Sequence, residues 1–473
     1  MNGNQLKMVD EIDRNASVPN AAGTDYMEVL RNRHEAAGQN RLARVNRRAP
    51  ARVKSPKRFD DLPEYKKIVA QKAISDLAGV DNPFYRSHEG AAGATTRIDG
   101  REVINFASYD YLATNTHPAV HKAAVAAIDQ FGISASASRL VAGERPQHGL
   151  LEQKLASIYE AEEAVCFVSG YLTNSTVISC IVGPKDLVIH DELIHNSVLS
   201  GIKLSGATRR FFRHNDTADL ENILTSIEGE FDRILVIVEG VYSMDGDVAA
   251  LPQLIRLRAQ FGFWLMVDEA HALGVLGEKG RGTFEHFGID PANVDIWMGT
   301  LSKTASSCGG YVAGCSPLIQ ILKAHAGGFV YSVGLAPVLA SSALASLSIL
   351  ESETHRVVRL GENGRLFLEL AKRAGLDTGP SAGYSVVPVI VGDSLRAVQL
   401  SNELLKVGVN ALPIIYPAVQ EGMARLRFFL TCDHTSDQIE TAVQLTADIL
   451  NDLVERKVGL AGLDMQQVAK IFT

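Results

Sequence analysis

Ile234-Leu235-Val236-Ile237-Val238-Glu239 and Trp264-Leu265-Met266-Val267-Asp268 are the stretches on which the fold turns. Each is a short run of consecutive apolar residues that stops at a carboxylate. A strand with one wet face alternates apolar and polar side chains, so a run without alternation predicts a strand covered by helices on both faces. Similar runs at 164–168, 187–190, 210–212, 296–299 and 311–313 are separated by stretches of helical periodicity. Strands alternating with helices predict an α/β architecture, with a large mixed, mostly parallel sheet over residues 113–350. Open sheets of this kind bind ligands at the carboxyl ends of their strands. Glu239, Asp268, Thr300 and Lys303 close the apolar runs at those ends.

The flanks read differently. Residues 59–112 open with a helical stretch from Asp61-Leu62-Pro63 that ends by Gly79, followed by a hairpin at Asp99-Gly100, where both central turn residues need positive φ. This segment is expected to pack on a smaller α+β unit at 351–473. That unit has strands at 385–391 and 425–430 and helices at 394–407 and 435–454, and Pro388 suggests an edge strand. Residues 1–58 form a basic arm. Between Arg31 and Arg58, the residues Arg33, Arg41, Arg44, Arg47, Arg48, Arg52, Lys54 and Lys57 stand against a single acid, Glu35, and such a segment is expected to be solvated and partly disordered.

The chain has 473 residues, 46% of them hydrophobic and 21% charged, with a formal net charge of -8. It is long enough for two or three domains, and its composition is that of a cytoplasmic protein. No stretch has the length of a membrane span, and the N-terminus has no secretory apolar region. The five cysteines show no metal-ligand spacing. Cys166, Cys180 and Cys315 lie in apolar contexts and read as small buried hydrophobes in a reducing compartment. Neither a metal nor a nucleic-acid partner is expected.

The chemistry is carried by Asp268 and Lys303, the latter ending Trp297-Met298-Gly299-Thr300-Leu301-Ser302-Lys303. A lysine amine condenses with an aldehyde, and a carboxylate on a buried strand keeps a heterocyclic nitrogen protonated. Together they describe a pyridoxal phosphate site. Ser169-Gly170-Tyr171 follows a strand and opens a helix, whose free N–H groups and dipole suit a phosphate; Thr300 adds a hydroxyl. His271, three residues after Asp268, can donate to the phenolic oxygen of the cofactor. His195 offers a planar ring for stacking, and Ser243 is a further hydroxyl near a strand end. Arg425 and Arg427 share one face of a strand, each a fixed fork for a substrate carboxylate, and spacing does not choose between them.

These segments, with Ser138-Arg139-Leu140-Val141, Glu239-Gly240-Val241-Tyr242-Ser243-Met244-Asp245-Gly246, Asp268-Glu269-Ala270-His271 and Gly280-Arg281-Gly282, follow one another in an order that resembles the α-oxoamine synthase family of fold-type I pyridoxal-phosphate enzymes from about residue 82 to 454. The resemblance implies that Lys303 carries the cofactor, Asp268 holds the ring nitrogen and His195 stacks on the ring. It implies contacts of His271 and Ser243 with the phenolic oxygen, and of Gly170, Tyr171 and Thr300 with the phosphate. It selects Arg427 for the substrate carboxylate. The family works as homodimers, in which Ser332 would reach a neighbour's phosphate, although Tyr331-Ser332-Val333-Gly334-Leu335 departs from the family's hydroxyl-rich version. Tyr109 stands where many members carry Asn, as in serine palmitoyltransferases, and Ala113 where most carry Gly.

The activity implied is decarboxylative condensation of a small amino acid, serine favoured through Tyr109, with an acyl thioester, giving an α-amino ketone. Glycine or alanine are alternatives. The segments around Lys303 and Tyr331 look like members fed by acyl carrier proteins, whose acidic surface would suit the basic arm; the arm could instead meet anionic lipid. An aminotransferase is disfavoured, since those enzymes usually carry Tyr three residues after the ring-binding Asp. A non-catalytic subunit of the same fold would lack Lys303.

Overall fold

The computed structural model describes residues 58–460, except 228, so the basic arm at 1–58 lies outside the described residues but for Arg58. The described residues up to Val69 and those from Ala70 onward belong to separate units. The helix expected to end by Gly79 spans Pro63–Ala78, and Gly79 adopts φ +65°. The hairpin joins β1 (Thr95–Ile98) to β2 (Arg101–Asn105), and its turn residues Asp99 and Gly100 have φ +50° and +72°.

The large sheet contains β3 (Glu163–Phe167), β4 (Leu187–Asp191), β5 (Thr208–Phe212), β6 (Ile234–Glu239), β7 (Trp264–Asp268), β8 (Ile296–Thr300) and β9 (Gly310–Gly314), in the order β3-β9-β8-β7-β6-β4-β5. Only β9 runs antiparallel to its neighbours. Alternate residues of these strands enter opposite layers. Val236, Val238, Leu265, Val267 and Trp297 join one buried cluster, while Leu235, Ile237, Met266, Ile296 and Met298 join another. Both faces are therefore apolar because both are covered, which is why no period-two pattern appears in the sequence. The parallel register sets Glu239 beside Asp268 and Asp268 beside Met298, so both carboxylates emerge at one edge of the sheet.

The second sheet runs β10 (Val386–Gly392), β13 (Ala424–Phe429), β12 (Leu412–Ile414), with β10 outermost, the edge position that Pro388 allows. The hairpin continues into this region, since β2 pairs in parallel with β11 (Val409–Asn410). Sequence reading missed β11 and β12, because two or three residues carry no periodicity. One further expectation is corrected. Cys166 is buried and Cys180 partly so, but Cys315 is exposed. It follows the last residue of β9 and occupies the N-cap of helix Ser316–His325, outside the packed layers. Among the described residues, no helix is long and apolar enough to cross a membrane.

Candidate active site

Asp268 is 4% exposed at the end of β7. Its Oδ2 accepts from Asn174 Nδ2 at 2.8 Å and its Oδ1 from the Ala270 N–H at 3.0 Å, so the carboxylate is held on two sides. Lys303 follows β8 in a turn closed by Ser306, whose N–H donates to Lys303 O at 2.9 Å. Its Nζ lies 5.6 Å from the centre of the Tyr109 ring. Burial pushes this amine down to about 8 from its ordinary 10.5; attraction to Asp268 and Glu239 resists the change, and Arg427 reinforces it. Glu239 is pushed up to about 8, first by burial and then by Asp268. Beside the Asp268 carboxylate, the cluster thus holds one acid inclined to keep its proton and one amine that deprotonates far more readily than a surface lysine.

Two histidines flank this group. His195 caps helix Asn196–Ser205 through its Nδ1, which accepts from the Ser197 N–H. Burial lowers its proton affinity, against the pull of Asp268. His271 is 6% exposed and held well below its usual range by burial, then by Lys303, Arg427 and His195. Its Nδ1 lies 2.7 Å from the Tyr111 hydroxyl, which leaves Nε2 for another partner.

Helix Gly170–Ile181 follows β3, and the free N–H groups of its first turn suit a phosphate. A Cβ on Gly170 would come within 2.9 Å of Thr300 Oγ1, so only glycine fits this approach. Thr300 Oγ1 donates to Gly309 O at 3.0 Å. The Tyr171 hydroxyl turns away to Asn196 Oδ1 at 3.0 Å and Ser200 Oγ at 2.6 Å, which leaves its backbone N–H for a ligand at the helix terminus. The donor set matches pyridoxal phosphate at both ends. There is an open helix N-terminus for its phosphate, a buried strand-end carboxylate for its ring nitrogen, and an amine of lowered basicity for its aldehyde.

Ser243 sits in the loop after β6; its N–H donates to Glu239 Oε2 at 3.2 Å, and its carbonyl accepts from Arg427 Nη1 at 2.8 Å. The same loop is fixed by His214, which bridges Asp191 Oδ1 and Asp247 Oδ2 at 2.9 Å each. Spacing left the two arginines equivalent and the resemblance pointed to Arg427; their partners differ. Arg425 is 4% exposed and paired with Asp245. Arg427 stacks 4.9 Å over Phe429 and keeps its Nε without a partner. Lys303, Asp268, His195, His271, Ser243 and Arg427 therefore converge. Ser332 belongs to a different neighbourhood: its segment is anchored to the turn before helix Pro146–Ile158, through the Gly334 N–H to Ala137 O at 2.9 Å. Sequence reading gave no role to Asn174, Tyr111, Ser197 or Glu239. A signal existed for the first: Thr173-Asn174-Ser175-Thr176 is a run of four polar residues, all buried, in a helix.

Residues 101–445 match the family described as aminotransferase class I and II. The chain is similar to 8-amino-7-oxononanoate synthase of Symbiobacterium thermophilum, with 42% identity over 356 residues, 75% of this chain and 90% of that protein. It is also similar to 8-amino-7-oxononanoate synthase of Beijerinckia indica subsp. indica, with 40% identity over 359 residues, 76% of this chain and 91% of that protein. Among solved structures, serine palmitoyltransferase of Sphingomonas wittichii superposes with a TM-score of 0.80 at 30% identity, covering 84% of this chain and 99% of that one.

Proposed function

Because the chain belongs to the aminotransferase class I and II family and, within it, to the α-oxoamine synthases, which are pyridoxal-phosphate-dependent C-acyltransferases, we propose that it joins a small amino acid to an acyl thioester with loss of carbon dioxide, giving an α-amino ketone. When bound, pyridoxal phosphate supplies a protonated ring that withdraws electrons from the amino-acid α-carbon. Lys303 would hold the cofactor, and its Nζ would take the substrate's α-proton as general base. Asp268 would keep the ring nitrogen charged, and His195 would lie against the ring. His271 and Ser243 would serve the phenolic oxygen, and Gly170, Tyr171 and Thr300 would hold the phosphate. The observation that carries this reading is the convergence of a low-basicity lysine and a buried strand-end aspartate with a carboxylate-binding arginine. His271, where an aminotransferase usually has tyrosine, argues against transamination.

Arg427 takes the substrate carboxylate; its unpartnered Nε and stacked guanidinium support this, and Arg425 is already paired. A hydrogen bond to a charged partner contributes about 1.5–3 kcal/mol, or about 10- to 150-fold in affinity. Arg427→Ala should raise KM for the amino acid by that factor and leave the spectrum of bound cofactor intact. An unchanged KM would remove the assignment.

Serine and alanine are the leading donors. Tyr109, edge-on to Phe429 at 4.7 Å beside Lys303, favours serine. The 42% identity to an 8-amino-7-oxononanoate synthase favours alanine, whose methyl and amine match the terminus of that product. The basic arm supports a carrier-protein thioester over coenzyme A. Mass spectrometry of products from serine, alanine and glycine with both thioesters decides the substrates. Glutamate formed from 2-oxoglutarate would overturn the reaction class.

The working form is a homodimer. Ile133, Leu140, Val141, Tyr331 and Val333 are large exposed apolar residues on neighbouring segments, the kind of patch a second copy covers. Ser332 lies within it, where it would serve a neighbour's phosphate site.

A further inference from the structure

Two buried side chains join Asp268 to His195. Asn174, in the second turn of helix Gly170–Ile181, donates from Nδ2 to Asp268 Oδ2 at 2.8 Å and to Ser197 Oγ at 2.9 Å. Ser197 Oγ lies 2.7 Å from His195 Nδ1, and the Ser197 N–H donates to the same nitrogen at 3.3 Å. Asn174 and Ser197 are each 1% exposed.

Counting donors fixes the direction of each bond. Both Nδ2 hydrogens of Asn174 are in use, and Oδ1 has no partner. Turning the amide over would set Oδ1 against a carboxylate oxygen, so the orientation is fixed by charge. An orphaned buried acceptor is destabilising, a cost that an apolar residue of the same size would avoid. Ser197 Oγ accepts from Asn174, and its own hydrogen is left for His195 Nδ1. That ring nitrogen is an acceptor twice over, which leaves the proton of a neutral imidazole on Nε2.

We propose that Asn174 and Ser197 are positioning residues: Asn174 donates outward to both sides, which orients the Asp268 carboxylate and, through the Ser197 hydroxyl, holds His195 as the neutral Nε2–H tautomer. The physical advantage is electrostatic. Asp268 favours a positive charge on the heterocycle it faces, and a second cation over the same ring would oppose it. This relay between the carboxylate and His195 Nδ1 keeps the two groups in compatible protonation states. This inference rests on the reading that Asp268 and His195 flank the cofactor.

Nitrogen-15 NMR of histidine-labelled, cofactor-free enzyme reads the tautomer directly. The expected result is a bare Nδ1 and a protonated Nε2 on His195, replaced by a tautomer mixture in Ser197→Ala and Asn174→Leu. In loaded enzyme, both variants should shift the pH midpoint of the cofactor's visible band by about half a unit or more. Ser197→Thr, which keeps the hydroxyl, should restore both readouts. Asn174→Leu should also weaken cofactor affinity about 10-fold. A proton on Nδ1 of the unsubstituted enzyme, or a single unchanged tautomer in both variants, overturns the relay. If Asn174→Leu does not fold, Ser197→Ala, which removes one oxygen, carries the test. Because the tautomer is measured without cofactor, failure of the relay is told apart from failure of the cofactor assignment, which borohydride reduction and peptide mapping at Lys303 would report.

Discussion

Lys303→Ala should lower kcat/KM by about 10²- to 10⁴-fold, the range a positioned general base contributes, with loss of covalent attachment adding to it. The protein should still bind pyridoxal phosphate at Asp268 and the helix terminus, so circular dichroism should be unchanged while borohydride fixes no cofactor at residue 303. The pH dependence gives a second, independent check. Only the neutral amine is a nucleophile, and burial brings this one down to about 8. Loading of the unsubstituted apoenzyme should therefore rise with pH and level off above about 8, where a surface lysine would go on rising to about 10.4. The sign follows from the cause, since burial disfavours the charged form and more neutral amine exists at any given pH. Levelling near the ordinary lysine value would mean that the amine is not set among the groups that lower it.

Asp268→Asn is the other substitution with a large expected effect. It conserves shape and keeps an oxygen to accept from Asn174, but it removes the negative charge that keeps the ring nitrogen protonated. Preorganised electrostatic partners of this kind are worth about 10²- to 10³-fold in kcat, and the loss should appear in kcat more than in KM. Stability should fall by about 1–3 kcal/mol, because the new amide nitrogen faces the Ala270 N–H that Oδ1 accepts from in the parent. Glu239, raised to about 8 in part by Asp268, should titrate lower in the variant. Activity within about 10-fold of the parent enzyme would exclude Asp268 as the partner of the ring nitrogen.

Much of the large sheet was legible because buried parallel strands announce themselves. Ile234–Glu239 and Trp264–Asp268 are apolar at nearly every position, and each stops where the chain reaches the ligand edge. Lys303, Asp268 and Gly170 were legible for the same reason: their chemistry sits at strand ends and a helix start, which local sequence marks. The short strands Val409–Asn410 and Leu412–Ile414 were not, because their existence depends on partners far away in the chain. Cys315 was misjudged because apolar neighbours in sequence do not reveal that a strand has just ended at the protein's edge.

The sequence by itself determined the sheet and the family and marked the residues proposed to bind the cofactor, because strand periodicity and the order of strand-end residues are local properties. Spacing left Arg427 and Arg425 equivalent and the family resemblance pointed to Arg427; the tertiary structure supplied the physical difference, since Asp245 pairs with Arg425 and leaves the Nε of Arg427 bare. It likewise joined Asn174 to Asp268 across 94 positions of chain, a contact that packing creates and no local pattern encodes. Hydrogen-bond partners and burial depend on distances in space, and those exist only once the chain has folded.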